Sequence, residues 1–486
     1  MKNSKWIGTA ISLALCTAFS ACSKGENSSN PPANSTAPQQ SAQVQWNRKL
    51  EQQARAAIAN AAANGLKPDL FLKGDTEGPA LTEAALRYAQ ALAHGYSDPT
   101  KLYPVYTIPR PSADVRQGFE QAAQKGDLTS WFNSLPPQTD EYKALSQAHL
   151  KYLKLASGTK FEAVGDGKPI NPGSQDARIP ALTAALSQMG YLTAPPTQAG
   201  QASTSTRYTT SLIAAVKQLQ SDFGLKVDGI VGGNTLAAVN LGPAGLGRMT
   251  AIAMERLRWL EREPPQTRVD VNLAATFLDY WRDGQHMDRR EVVAGEPDKQ
   301  TPQIQAPIVN LVAYPKWHVP DSISSDELSK KSPAWLQENQ FAMENGKFVQ
   351  ESGPKNSLGI VKLDMDDKQA IYLHDTPAKA LFGLPDRHRS HGCVRVQDAV
   401  AFATAIATEE GVNDKFQEAM AGQQEKWVKL PKPITVRLIY QTAFWDGSGV
   451  RFRPDVYGWD NAVAAALGLI RGVTWMPVQQ SGDVGP

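Results

Sequence analysis

The spacing of apolar residues divides the chain into a helical part and a later part dominated by strands. From residue 46 to about 154, and again within 173–243, apolar side chains recur every three or four positions, which is the period of an amphipathic helix. From about residue 265 the period falls to two, as in VDVNL, and such alternation predicts strands. The pattern therefore predicts a multidomain α+β protein with its helices first.

The first helical segment, 46–172, looks like a structural support. In LTEAALRYAQALAHGY the apolar positions share one face, and QQARAAIANAAANG ends at Gly65, a residue type that commonly follows a helix C-terminus. A proline-rich run at 101–111 interrupts the helices. Because no cluster of catalytic residue types occurs here, we interpret this segment as a helical scaffold domain.

The second segment, 173–243, predicts a small domain of three helices. Two amphipathic stretches, PGSQDARIPALTAALSQMGYL and TSLIAAVKQLQSDFGL, are followed by VDGIVGGNTLAAVN, where an Asp228-Gly229 turn precedes a short helix near Thr235. The run AVKQLQSDFGLKVDGIVGGNTLAAVN resembles peptidoglycan-binding domains. That resemblance implies peptidoglycan as a partner; a helical bundle without a ligand is the alternative.

The later part, 265–441, is predicted to be a mainly β catalytic domain, followed by a C-terminal tail, 442–486. A hairpin is expected around Asp283-Gly284, and IVKLDMDDKQAIYLH and ITVRLIYQ read as further strands. The charged run DSISSDELSKKSPAWLQENQ instead predicts helix. We interpret it as part of a helical capping excursion, about 316–352, that covers a cleft.

The N-terminus has the features of an export signal. Lys2 and Lys5 precede a short apolar run that is too short to span a bilayer, so residues 1–21 are predicted to be a removable signal peptide. Phe-Ser-Ala-Cys resembles a bacterial lipobox, which implies lipidation of Cys22 and attachment to a membrane. Ser23 resembles a signal for the inner leaflet of the outer membrane, facing the periplasm. An ordinary signal peptide cut near Ala21 is the alternative.

Residues 22–45 are predicted to be a flexible tether. Positions 23–43 contain no Leu, Ile, Val or aromatic residue and so cannot bury a core. The net charge says little about function, because 50 basic and 48 acidic residues give a value of only +2. This balance does not favour nucleic-acid binding.

Cysteine usage singles out one thiol. The chain has three cysteines; Cys16 would leave with the signal and Cys22 would carry lipid, so Cys393 would have no disulfide partner. An unpaired thiol is at risk of oxidation in an oxidising compartment. Cys393 is therefore either an inert core residue or a functional one.

Two stretches, AIYLHDTP and RHRSHGCVRV, surround this thiol with candidate catalytic groups. His374, His391 and Arg395 could lower the pKa of Cys393 and make it a better nucleophile. On a strand, residues 391, 393 and 395 would share one face. Gly392 would allow a tight turn that leaves backbone N–H groups free for an oxyanion.

Two histidines and a cysteine could alternatively bind zinc. The chain offers no second cysteine for such a site, and Arg395 would place a positive charge beside the metal. We therefore expect neither a metal nor another cofactor.

The motif H-x16-S-H-G-C-x-R closely resembles that of the L,D-transpeptidases. The resemblance extends to MERLRWL, YPKWHVPDSI, GPKNSLGIVK, YLHDTPAKALF and the closing tract FRPDVYGWD. The order of helical scaffold, peptidoglycan-binding domain and catalytic β domain is similar to that of the large multidomain Gram-negative subclass.

This resemblance implies roles for individual residues. Cys393 would be the nucleophile and His374 its base, oriented by a backbone carbonyl such as that of Asp375, while His391, Gly392 and Arg395 complete the motif. His391 remains a competitor for the base. The matched tracts also contain three candidates for contact with the substrate, Trp317, Tyr372 and Asn356. The alternative is that these residues serve only in core packing or loop structure.

The implied reaction is transfer of an acyl group from a tetrapeptide stem, with release of D-alanine, to a diaminopimelate amine of a second stem. The product would be a 3–3 cross-link, and carbapenems would acylate the same thiol. Stem peptides, glycan and cell-wall synthases are the expected partners. A hydrolase using the same site, either an L,D-carboxypeptidase or an endopeptidase, and a non-catalytic peptidoglycan-binding lipoprotein are the alternatives.

Overall fold

Polar caps precede the apolar stripes where the first helices begin. The side chains of Asn47, Asp114 and Thr139 each accept a hydrogen bond from a backbone N–H of the following first turn. The helices are α1 (Arg48–Ala59), α2 (Gly78–His94), α3 (Pro99–Leu102), α4 (Val115–Lys125), α5 (Leu128–Ser134) and α6 (Asp140–Ala156). The apolar faces of α1, α2, α4 and α5 share one core, which confirms the predicted helical N-terminal region.

The computed structural model describes residues 44–469 except 75, 159, 193–204 and 327. The predicted signal peptide and Cys22 lie outside the described residues, as do most of the tether and the tail from residue 470. No helix among the described residues is both long and apolar enough to cross a membrane.

The peptidoglycan-binding segment contains the three predicted helices, followed by a long buried helix. These are α7 (Ile179–Gln188), α8 (Thr210–Asp222), α9 (Gly233–Val239) and α10 (Gly242–Arg258). Leu246 and Met249 of α10 pack with α7–α9, whereas Ile252 and the following Trp259 pack in the scaffold core. Helix α10 therefore joins the two helical regions through its own side chains.

The C-terminal part is mainly strands, as predicted. The strands are β1 (Arg268–Asn272), β2 (Phe277–Arg282), β3 (Gln285–Gly295), β4 (Gln305–Ala313), β5 (Trp317–His318), β6 (Phe341–Glu344), β7 (Lys347–Gln350), β8 (Val361–Met365), β9 (Leu373–His374), β10 (His388–Ser390), β11 (Val394–Val396), β12 (Lys426–Ile439), β13 (Ala443–Trp445) and β14 (Val450–Phe452). The helices are α11 (Asp321–Asp326), α12 (Pro333–Glu338), α13 (Ala399–Glu409), α14 (Asn413–Ala421) and α15 (Asp460–Ala466).

Among the described residues, nine strands form the main sheet in the order β10-β3-β11-β9-β8-β4-β12-β1-β2. Because β2 also pairs with β3, the sheet closes on itself. The β1–β12, β9–β11 and β10–β3 pairs are parallel, and the other pairs in this sheet are antiparallel. Helices α13 and α14 contribute Phe402 and Phe416 to the core of this domain. The closed sheet gives β9 and β11 a rigid frame.

The excursion between β4 and β8 has a core of its own. Helices α11 and α12 lie where helix is predicted, and β5-β7-β6 adds a three-stranded sheet that the sequence pattern did not reveal. Asn345 and Gly346 both have positive φ, which is the backbone of a tight hairpin turn. Trp317 packs with Val319, Leu328 and Phe341 in this core. The excursion is therefore mixed helix and strand.

The described part of the tail, 442–469, is integral to the fold. Ala443 and Phe452 pack with the peptidoglycan-binding segment, Tyr457 packs in the catalytic core, and Val463 packs in the scaffold core. Helix α15 lies in this segment. This single segment therefore connects the scaffold, peptidoglycan-binding and catalytic cores.

Candidate active site

The candidate site lies on one face of three adjacent strands. In the parallel β9–β11 pair, Leu373 is opposite Val394 and His374 is opposite Arg395; the antiparallel β8 places Lys362 beside His374. Leu373 and Val394 are fully buried in the core of the closed sheet. Since side chains alternate along a strand, His374, Arg395 and Lys362 face away from that core.

Cys393 and Tyr372 extend the same face by one step. The backbone N–H of Val394 donates to the carbonyl of Tyr372 at 3.1 Å, so the residues that precede the registered pair are also neighbours. The Cys393 thiol is half-buried, with Sγ at 3.8 Å from the carbonyl oxygen of Ala370. The hydroxyl of Tyr372 hydrogen-bonds the Cys393 side chain.

Burial raises the pKa of the Cys393 thiol above its ordinary value of 9.0. Hydrogen bonds from Tyr372 and the positive charge of Lys362 oppose this effect without overcoming it. The net pKa of the thiol is therefore raised in the unliganded protein, although the charge interaction between Arg395 and Cys393 acts in the predicted direction. Lys362 is a contributor that the sequence did not single out, although it ends the matched tract GPKNSLGIVK.

His374 is held neutral by its surroundings. Its side chain is buried, and burial together with the positive charge of Arg395 lowers its pKa to about 3. The carbonyls of Asp375 and Leu358 act in the opposite direction. Nδ1 nevertheless has no well-formed hydrogen bond to any described residue, so these carbonyls lie near the ring without a bond of good geometry. The ring packs edge-on against Tyr372, with centroids 5.6 Å apart. A neutral imidazole can accept a proton.

Arg395 and His391 differ in their placement. Arg395 is buried on β11, where burial lowers the pKa of its guanidinium while Cys393 and Glu296 favour the charged form. His391 is half-buried in the turn between β10 and β11. The prediction that residue 391 shares a strand face with Cys393 is therefore wrong, because β10 ends at Ser390 and β11 begins at Val394.

A glycine turn supports Cys393. Gly392 has φ +117°, in a region that side-chain-bearing residues rarely adopt. Ser390 Oγ donates to the Cys393 carbonyl at 2.6 Å and accepts from the Gly392 N–H at 3.2 Å. The Gly392 N–H is thus engaged by Ser390 and is not one of the backbone N–H groups left free for an oxyanion. Ser390 lies in the S-H-G-C motif, which was the only signal of its role.

Buried Thr301 fixes the other side of this turn. Its hydroxyl donates to the Gly392 carbonyl at 2.8 Å and accepts from the Gly295 N–H at 2.9 Å. The hydroxyl of Tyr457 donates to the Gly295 carbonyl at 2.8 Å. Thr301 carries no motif signal, whereas Tyr457 lies in the matched tract FRPDVYGWD. The turn is therefore supported from β3 and from the tail.

Of the three candidate substrate-contacting residues, Trp317 and Tyr372 lie in a chain of contacts that leads to Cys393, and Asn356 lies in a buried loop. Trp317 of the excursion is buried and hydrogen-bonds the hydroxyl of Tyr372, which itself contacts Cys393. Asn356 is fully buried: its Nδ2 donates to the carbonyls of Pro315, Gln350 and Glu351, and its Oδ1 accepts from Leu358 N. Asn356 thus organises a loop, and the substrate-contact role predicted for it does not fit.

Two further histidines lie outside the candidate chemistry. His388 is buried, with Nδ1 at 3.0 Å from Asp386 and Nε2 at 2.9 Å from the Leu273 carbonyl oxygen. His318 is exposed on β5. Among the described residues, no group of three or more His, Cys, Asp or Glu side chains is arranged to hold a metal ion.

Three family models match successive parts of the chain. A scaffold domain matches residues 39–148, a "Putative peptidoglycan binding domain" matches 175–239, and an L,D-transpeptidase catalytic domain matches 266–414. The last match contains all five motif residues, namely His374, His391, Gly392, Cys393 and Arg395.

One curated protein with a matching description is similar to part of the chain. A curated protein of Haemophilus influenzae, "Putative L,D-transpeptidase", is 27% identical over 220 residues, which is 40% of this chain and 45% of that protein. The chain therefore matches less than half the length of this relative.

Similar solved structures include an L,D-transpeptidase from Mycobacterium smegmatis, at 15% identity and TM-score 0.21, over 35% of this chain and 58% of that one. A second L,D-transpeptidase structure, from Stackebrandtia nassauensis, has 13% identity and TM-score 0.23. The match covers 57% of this chain and 96% of that one. At these TM-scores the superpositions add nothing to the assignment, which rests on the sequence matches.

Proposed function

We propose that this chain, which contains an L,D-transpeptidase catalytic domain together with a scaffold domain and a peptidoglycan-binding domain, transfers acyl groups between peptidoglycan stem peptides. The observation that carries the proposal is the pairing of β9 with β11, which places His374 beside Arg395 on the face that Cys393 shares. A nucleophile, a neutral base and a fixed positive charge are thereby assembled from two separate stretches of sequence.

In the first half-reaction the Cys393 thiol attacks the carbonyl between diaminopimelate and the terminal D-alanine of a tetrapeptide stem. Because the thiol and His374 are both neutral beforehand, the S–H proton passes to the imidazole as the S–C bond forms. Arg395 supplies positive charge for the developing oxyanion. The imidazolium then protonates the amine of D-alanine as the C–N bond breaks, leaving a thioester.

In the second half-reaction an amine of diaminopimelate on another stem attacks the thioester carbonyl. His374 accepts a proton from this amine and returns one to the sulfur as the C–S bond breaks. The product is a 3–3 cross-link, and the thiol is regenerated. Since the thioester retains the energy of the donor bond, the reaction consumes no further reactant.

Water could replace the acceptor amine in the same chemistry and would make the protein an L,D-carboxypeptidase. The excursion favours transfer, because Trp317 ties it to Tyr372 and so to the thiol. Closure by this segment would exclude water from the thioester. A carbapenem, which carries a strained carbonyl, is proposed to acylate Cys393 by the first step alone.

The site of action is part of the same proposal. Lipidation of Cys22 would hold the protein at the periplasmic face of the outer membrane, with the low-complexity segment after it as a tether toward the wall and its synthases. Mass spectrometry of the mature protein tests this point, and an unmodified Cys22 would contradict it.

One assay distinguishes the activities. Purified protein is incubated with disaccharide-tetrapeptides, and the products are identified by mass spectrometry. Cross-linked dimer with released D-alanine is expected. Tripeptide alone would identify a hydrolase, and unchanged substrate would identify a binding protein. Full turnover by a Cys393→Ala variant would contradict both enzymatic interpretations.

A further inference from the structure

A cleft of about 490 Å³ lies between the peptidoglycan-binding segment and the segment that leads to the nucleophile. This volume is within the range of pockets that bind small molecules, roughly 300–1,000 Å³. One wall includes Lys226, Asp228 and Asn234, and the other includes Leu384, Asp386 and Arg389. Cys393 does not line it, so the cleft is distinct from the candidate active site.

The first wall is held rigid by one buried side chain. Gln220 donates through Nε2 to Asp228 Oδ1 at 3.1 Å, to the Ile230 carbonyl at 3.0 Å and to Thr235 Oγ1 at 3.2 Å. Its Oε1 accepts from the Gly229 N–H at 2.8 Å. The loop that carries the D-G-x-x-G motif is therefore formed before any ligand arrives.

The second wall is joined to the nucleophile through a single short strand. In β10 the side chains of His388 and Ser390 are buried, and Arg389 between them lies on the cleft side. Ser390 hydrogen-bonds the backbone of Cys393, as described above. A ligand that contacts Arg389 would therefore lie one residue from a support of the catalytic turn.

The charges of the two walls indicate the class of ligand. Each wall carries one acidic and one basic side chain: Lys226 lies 3.7 Å from Asp228, and Arg389 follows Asp386 by three positions. Exposed Leu384 adds an apolar side chain to the second wall. A stem peptide offers carboxylates, a diaminopimelate amine and alanine methyl groups, whereas an N-acetylated glycan chain is largely uncharged.

We propose that this cleft binds a stem peptide of peptidoglycan, with the peptidoglycan-binding domain and the catalytic domain each supplying one wall. The polymer would thus be held jointly by both domains rather than by the binding domain alone. The inference rests on the proposed function for the identity of the polymer, but it requires no turnover.

Sedimentation with purified diaminopimelate-containing sacculi tests the two walls separately. All proteins carry Cys393→Ala, so that no turnover occurs. Lys226→Glu changes the first wall, Arg389→Glu and Leu384→Asn change the second, and exposed Arg207→Glu is the matched charge control. We expect each wall variant to weaken binding about tenfold, the loss typical of one good contact, and the control to bind as its parent.

Binding that depends on Lys226 but on neither second-wall variant would overturn the proposal, because the binding domain would then act alone. Melting curves identify variants that fail to fold; if Arg389→Glu does, Leu384→Asn still reports on that wall. Sacculi stripped of stems by an amidase should lose the wall-dependent binding, and unchanged binding to naked glycan would also overturn the proposal. Failure of the proposed function would instead appear as absent products in the assay with wild-type protein.

Discussion

His374 and Arg395 lie directly opposite each other in the parallel pairing of β9 with β11. Burial is the main cause that lowers the pKa of His374 to about 3, and the positive charge of Arg395 is the second. The imidazole is therefore neutral throughout the physiological range. The same pairing places Cys393 beside Tyr372. The protonation state of His374 is therefore set partly by a neighbouring strand rather than by the residues adjacent to it in sequence.

Replacement of His374 by glutamine should remove the base while retaining a polar side chain. Because general-base catalysis is typically worth 10²–10⁴-fold, we expect kcat for D-alanine release to fall by about that factor, with a smaller change in KM. His388→Gln is the matched control: His388 bonds to Asp386 and the Leu273 carbonyl, so its loss should lower the melting temperature more than it lowers kcat. A greater loss of kcat in His391→Gln than in His374→Gln would reverse the assignment of the base.

The rate of Cys393 alkylation should rise with pH, as it does for a cysteine that is mostly protonated at neutral pH. Burial raises the thiol pKa above 9.0, so the thiolate fraction should increase about tenfold per pH unit between pH 6 and 8. No break is expected near pH 6.5, because His374 is already neutral there. Iodoacetamide rates measured by mass spectrometry check this, with the urea-unfolded protein as reference. A plateau between pH 5 and 7 would instead indicate a thiolate–imidazolium pair.

Substitution of Gly392 by alanine should strain the catalytic turn. The φ of +117° disfavours any side chain, and such strain costs about 1–3 kcal/mol. We expect a lower denaturation midpoint and a lower kcat. Gly383→Ala is the control, because that glycine has no positive φ and no atom within 4 Å of an added Cβ. Equal effects of the two substitutions would show that the conformation of Gly392 is unimportant.

Thr301→Val keeps the shape of the side chain and removes its hydroxyl. The Gly392 carbonyl and the Gly295 N–H would then be left buried without this partner, at a cost of about 1–3 kcal/mol. Urea denaturation measures the change in stability. If Thr301 positions the turn that carries Cys393, kcat should fall by a larger factor than KM changes. Thr408→Val on the exposed surface of α13 is the control. Unchanged kcat would show that Thr301 does not position the nucleophile.

Asp460→Asn should weaken the attachment of the tail to helix α10. Its carboxylate contacts Arg256 at 2.6 Å and the Thr442 hydroxyl at 2.9 Å, with both members of the ion pair almost fully buried. Removing one member of a buried pair typically costs about 3–5 kcal/mol. Calorimetry should show a large fall in melting temperature, whereas Glu418→Gln, in an exposed pair with Lys426, should melt close to wild type. A small effect of Asp460→Asn would mean that apolar contacts alone hold the tail.

Local signals in the sequence were sufficient to predict most helices and strands and to recognise the family motif. Helix periods, capping residues and strand alternation depend on neighbouring residues, so the helical scaffold, helices α7–α9 and the β-rich domain could be predicted. The spacing of His374, His391, Cys393 and Arg395 likewise identified the L,D-transpeptidase motif. The sheet within the excursion was missed because its helical flank dominates the pattern, although Asn345-Gly346 carried a turn signal.

What the sequence determined by itself was the inventory of the site: one thiol, two candidate bases and an arginine in a recognisable order. Only the tertiary structure decided their states and supports. Burial, which depends on the whole fold, raises the thiol pKa and lowers that of His374. Strand register, which depends on long-range pairing, places His374 beside Arg395 and leaves His391 in a turn. Thr301 carries no local sign of its role, and Tyr457 is marked only by its place in a matched tract, because their contacts with the turn form only when distant segments pack together.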